Sequence, residues 1–170
     1  MRVLRVGVVA LAAVLAACER IQESPTGPVS LSSSASGPAV TGSGHVPSGA
    51  GLREFTFHAK QKPDGSVSGS YKIEFTATGL FLQVDVTCVA VEGNTGWVGG
   101  RIVESNIAAV IIGSVSYFYA IDNGEGQGSP PDRVSSARIN DVDGEDLRFC
   151  AERPLLLPSF NITNGNVQVR

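Results

Sequence analysis

The feature that most narrows the fold is a two-residue alternation of apolar and polar side chains, interrupted at intervals by turn chemistry. Phe55, Phe57 and Ala59 alternate with Thr56, His58 and Lys60, the period that turns one face of a β-strand inward. Pro63-Asp64-Gly65 then supplies a turn, because proline presets φ, aspartate bonds its own backbone and glycine accepts positive φ. Beyond it Val67, Tyr71, Ile73 and Phe75 share one face against Ser70, Lys72, Glu74 and Thr76, so the two runs predict a hairpin. After Thr78-Gly79, Leu82, Val84, Val86 and Cys88 lie opposite Gln83, Asp85 and Thr87, which predicts that Cys88 points into the core.

Glu92-Gly93-Asn94 turns the chain into a run in which Gly96, Gly99 and Gly100 flank Trp97. Glycines inside a strand mark bulges or close backbone approach. Trp97 therefore reads as packing beneath them, or alternatively as a stacking platform. Ile107 to Ile121 is uncharged and rich in β-branched and aromatic residues, predicting one long buried strand broken at Gly113. Tyr117 and Tyr119 fall on one face of it, with hydroxyls that need a rim or a polar partner; carbohydrate stacking is the other use open to them. Arg133 to Asn140 and Leu147 to Ala151, which carries Cys150, read as further strands on either side of a turn at Asp143-Gly144. Pro154 to Pro158 brackets three leucines and cannot run as a central strand; they cover an open end of the core or form a contact patch. Asn164-Gly165 is the strongest short hairpin signal. The sum is an all-β chain, a single antiparallel meander of about eight strands with no helix outside the leader. A barrel is narrowly favoured over a sandwich, because consecutive strands connect by short turns.

The ends of the chain speak to its address. Arg2 and Arg5 precede an uncharged apolar run from Val6 to Ala17, the order of an export signal and too short to span a bilayer. The run ends in Leu15-Ala16-Ala17-Cys18, which resembles the lipobox of bacterial lipoproteins. That resemblance implies removal of residues 1–17, a diacylglycerol thioether on Cys18, and a membrane as partner; acyl chains in pairs anchor stably. Glu19, not aspartate, follows, which resembles the outer-membrane sorting pattern and implies a cell-envelope location, periplasmic or surface exposed. Ser24 to Gly51 holds 8 Ser, 6 Gly and 4 Pro with no Phe, Tyr or Trp and no Asp, Glu, Lys or Arg. Residues 18–51 therefore read as the lipidated cysteine and a flexible tether, leaving 52–170 as one β-domain.

Without residues 1–17 the chain carries 11 basic against 16 acidic residues, hence −5. No basic run interleaves with aromatics, so nothing points to nucleic acid. With Cys18 acylated, Cys88 and Cys150 are the one possible intrachain pair, as expected of an exported chain. Their 62-residue separation corresponds to about 4 kcal/mol in the loop-entropy account.

Catalytic signals are sparse. His45 falls in the tether and His58 on the polar face, leaving little for a Ser-His-Asp or Cys-His nucleophile. Gly65 to Gly69 puts Val67 where a nucleophile elbow has its serine. A carboxylate pair of the glycosidase kind is open, since 14 acids lie in the domain. Asp122-Asn123-Gly124-Glu125-Gly126, with Asp132 beyond Pro130-Pro131, could offer several oxygens to calcium. It lacks the EF-hand order, and the same residues make a turn or, through their glycine N–H groups, an anion nest.

Several of these segments occur together. Phe55 to Ala59 with Pro63 to Gly69, Val86-Thr87-Cys88 with Gly93 to Gly100, Asp122 to Gly126 with Pro130-Pro131-Asp132, and Gly165-Asn166-Val167 together resemble an uncharacterised family of exported bacterial β-domains. The resemblance spans most of residues 44 to 170 and implies export and a compact β-fold, with no activity attached. The expectation is a lipid-anchored, non-enzymatic binding or structural module; a calcium-dependent adhesion or ligand-binding domain and a carboxylate-pair hydrolase are the alternatives.

Overall fold

A computed structural model of the chain describes residues 37–170; the leader, Cys18 and residues 19–36 of the expected tether lie outside the described residues. The elements are β1 (Ala39–Ser48), β2 (Gly51–Gln61), β3 (Val67–Phe75), β4 (Leu80–Glu92), β5 (Thr95–Ser105), β6 (Val115–Ile121), β7 (Arg133–Ser135), β8 (Arg138–Asn140), α1 (Glu145–Glu152), β9 (Ser159–Asn161) and β10 (Asn164–Val169). They form one antiparallel sheet in the order β10-β1-β2-β3-β4-β5-β6-β7-β9, with β8 also on β6, curled into a half-barrel. The all-β meander holds, with ten strands, several of them short.

Two cores result from the two faces of this sheet. The concave face buries Val40, Phe55, Phe57, Tyr71, Val84, Val98, Phe118 and Val167 among others, with Phe118 edge-on to Tyr71 at 5.0 Å. On the convex face of β4, β5 and β6, Cys88, Trp97, Val115, Tyr117 and Tyr119 pack against Phe149 and Cys150 of α1. Trp97 Nε1 donates to the Pro154 carbonyl at 3.0 Å and Tyr119 Oη to that of Leu157 at 2.7 Å. Trp97 and Tyr119 thus keep their polar atoms paired, as a buried indole or phenol favours.

Several expectations are corrected. Cys88 does not face the concave core. The β4–β5 register shifts between Val86 and Cys88, and such a bulge adds one residue, moving every later side chain to the other face. Val89 and Val91 therefore face inward, while Cys88 turns outward to Cys150, with its sulfur 2.08 Å away and the Cα atoms 6.2 Å apart. The segment carrying Cys150 is a helix, not a strand. Glu145 and Asp146 stand in its first turn, complementing the helix dipole, and Arg153, in the left-handed region with its N–H on the Phe149 carbonyl, ends it just before Pro154.

The tether does not extend to residue 51, because Ala39–Ser48 forms β1 and pairs with both β2 and β10. His45 thus belongs to the sheet. Its Ser/Gly/Pro composition hid a strand whose close neighbours require small residues: a Cβ on Gly44 would meet the Asn164 carbonyl at 2.5 Å. Residues 107–114 are a loop and β6 begins only at Val115; Ile111 and Ile112 are exposed. Asn164-Gly165 is no hairpin turn either, since both residues pair with β1, Gly165 opposite Gly44. Instead Ile162 and Thr163 carry the chain from one edge of the sheet to the other. Of the three leucines, Leu157 turns onto the outer core, and Leu155 and Leu156 stay exposed, the latter at 89%.

Candidate functional site

The same parity that orders β2 puts a charge inside. Arg53, Phe55, Phe57 and Ala59 are the inward residues of that strand, and Arg53 is only 8% exposed. Its Nη2 donates to the Ser135 carbonyl at 3.0 Å, and Cζ lies 5.5 Å from the centre of the Phe160 ring, a cation–π contact. No carboxylate answers it: Arg53 is in none of the ion pairs among the described residues. Burial lowers the pKa of the guanidinium, yet arginine stays cationic at neutral pH.

Arg53 lines a cavity of about 610 Å³ at one end of the half-barrel. Ile73, Phe75 and Leu82 come from β3 and β4, and Ile107, Ala109 and Val110 from the loop between β5 and β6; Arg138 and Asp141 add a charge of each sign. Asp141 Oδ1 accepts the Ser114 hydroxyl at 2.7 Å. Deeper in, among Phe55, Phe57, Tyr71 and Phe118, the free space shrinks to about 10 Å³, room for about one water. The barrel is filled, and its mouth is open.

The acidic loop has a different geometry. Asp132, 7% exposed, accepts the Asn123 N–H on Oδ1 at 2.8 Å and the Val167 N–H on Oδ2 at 2.7 Å. Its carbonyl takes the Ile162 N–H at 2.8 Å. Asp122 accepts from Gly124 at 2.9 Å and from Val169 at 3.1 Å. Glu125 Oε1 receives the amides of Asn166 at 3.1 Å and Gln168 at 3.3 Å, and Asn123 Nδ2 donates to the Pro131 carbonyl at 2.7 Å. The structure therefore brings Asp122, Asn123, Glu125 and Asp132 to one place, along the edge of β10. There the aspartates satisfy backbone N–H groups that an unpaired edge strand leaves open. Among the described residues no group of three or more His, Cys, Asp or Glu is placed to hold a metal ion.

The remaining named residues sit apart from both places. His45 Nε2 is 3.7 Å from Glu54, and His58 faces outward on β2. A second hollow, about 430 Å³, lies beside α1 and includes Tyr117, Arg148 and Leu156. Its two acids, Glu145 and Glu152, are on the same helix, and Glu145 pairs with Arg148 at 2.7 Å. Among the described residues no helix is long and apolar enough to cross a membrane. The reading of the residues passed over Arg53, although the alternation that placed Phe55 and Phe57 inward also placed this cation there. No family model, curated protein or solved structure matches the chain.

Proposed function

We propose that the chain is a lipid-anchored extracytoplasmic β-domain that works as a non-enzymatic binding module, with the mouth of the half-barrel as its binding place. The observation that carries the binding reading is a cavity of about 610 Å³ that sets side chains such as Phe75, Ile107 and Val110 beside a buried cation without a carboxylate partner, apolar groups with a few placed polar ones in a volume within the range of about 300–1,000 Å³ usual for ligand pockets. The Leu15-Ala16-Ala17-Cys18 motif supports acylation at Cys18 and attachment to the envelope, the outer membrane by the sorting pattern. The pairing of Cys88 with Cys150 supports an oxidising compartment. The motif resemblance to exported bacterial β-domains supports the same address.

The test is occupancy of the mouth by a neutral apolar fluorophore, phenylnaphthylamine, which brightens in apolar surroundings. The parent protein should bind it, and Ala109→Trp, which fills the cavity from the β5–β6 loop, should weaken binding at least about tenfold. Equal binding by the two proteins would remove the mouth as the binding place.

A further inference from the structure

We infer that the mouth cavity takes an anionic amphiphile, a carboxylate head seated on Arg53 with its hydrocarbon body against Ile73, Phe75, Leu82, Ile107 and Val110; this rests on the mouth being a binding place at all.

A guanidinium carries five N–H donors in a planar fork, and the bond to the Ser135 carbonyl engages only one of its nitrogens. The ring of Phe160 lies against the guanidinium, Arg53 lines the cavity, and two parallel N–H groups of a guanidinium match the two oxygens of a carboxylate. Holding a cation away from water is unfavourable unless an opposite charge or further acceptors answer it, and the nearby acids are engaged elsewhere. Glu74 pairs with Lys72 at 2.8 Å, and Asp141 holds the Ser114 hydroxyl. A small inorganic anion would leave most of the cavity unfilled, whereas an alkyl chain would cover the partly buried Phe75, Ile107 and Val110. Asp141 offsets Arg138 in the cavity lining, which leaves Arg53 as the one unanswered positive charge there, and a head with a single negative charge matches it, favouring a monoanionic carboxylate over a phosphate monoester.

The experiment is competition against bound phenylnaphthylamine by dodecanoate, dodecanol and dodecyl phosphate, on the mature chain and on Arg53→Met. Dodecanoate should compete at least about tenfold more strongly than dodecanol on the parent, and Arg53→Met should bring the two to within about twofold. Dodecanoate should also raise the thermal midpoint of the parent, which decides the matter should Arg53→Met fail to fold. Equal competition by dodecanoate and dodecanol on the parent would overturn the anion assignment while leaving the mouth a binding place. Stronger competition by dodecyl phosphate would overturn the carboxylate head. Absence of binding by the fluorophore and by all three amphiphiles would overturn the binding module with it.

Discussion

Replacing Asp132 with alanine tests the account of how the half-barrel holds its two edges together. Three segments meet at this carboxylate: the end of β6 through Asn123, its own segment before β7, and β10 through Val167. The substitution leaves two backbone donors without a partner, that of Val167 fully buried. A hydrogen bond to a charged group is worth about 1.5–3 kcal/mol, and an orphaned buried donor costs a similar amount. Water can reach the half-buried Asn123 more readily than Val167, so the loss should be about 3–4 kcal/mol, or roughly 10–15 °C in the thermal midpoint of a domain this size. Asp132→Asn keeps the shape but sets an amide N–H against one of the donors, and should recover at most half. Asp122→Ala should cost less, about 1–2 kcal/mol, since Gly124 is exposed and Val169 only partly buried; Glu125→Ala, in exposed contacts, should stay within about 0.5 kcal/mol. Thermal and urea unfolding of the four variants measure the order. A loss for Asp132→Ala no larger than for Glu125→Ala would refute the reasoning, as would a calcium-dependent rise in the parent's midpoint that Asp132→Ala abolishes.

Reduction of the Cys88–Cys150 pair should destabilise by up to about 4 kcal/mol, and amide exchange should accelerate first in α1, where Cys150 sits, rather than in β2 and β3. Gly99→Ala should cost about 1–3 kcal/mol, because a Cβ there would stand 2.9 Å from both the Asp146 Cβ and the Cys88 Sγ; if chemical denaturation shows no loss, α1 does not press on β5 as described. The Tyr71 phenol, buried in the concave core, has its pKa raised, chiefly by desolvation. Its contribution is therefore fully present below the unfolded tyrosine value of about 10 and is lost as pH rises above it. The Tyr71 and Ser116 hydroxyls lie close together but outside hydrogen-bonding geometry, so neither has a partner. Tyr71→Phe should thus flatten the alkaline loss of stability and leave neutral-pH stability equal or higher; a steeper alkaline loss in the variant would contradict this.

Period-two alternation made most of the sheet legible in advance. It sorted Phe55 from Thr56 and Ile73 from Lys72; the same parity carries Arg53 inward, which the alternation alone did not single out as a site. These were readable because strand facing depends on local parity alone. The same rule failed at Cys88, since a bulge is a property of two strands in register and no single strand announces it. Composition misled at Ala39–Ser48, whose small residues read as a tether but are what close strand approach demands. Asn164-Gly165 misled in a similar way: a local turn preference gave way to pairing with β1.

The amino-acid order by itself determined that this chain makes strands and which faces of β2 and β3 turn inward. Only the tertiary structure decided that the acids of the 122–132 loop meet the N–H groups of β10, that Cys88 leaves the concave core for α1, and that Arg53 lines a cavity and bonds the Ser135 carbonyl rather than a carboxylate. Facing follows from neighbours one or two residues away, whereas these three facts depend on pairs 35, 62 and 82 residues apart, which come together only when the sheet curls.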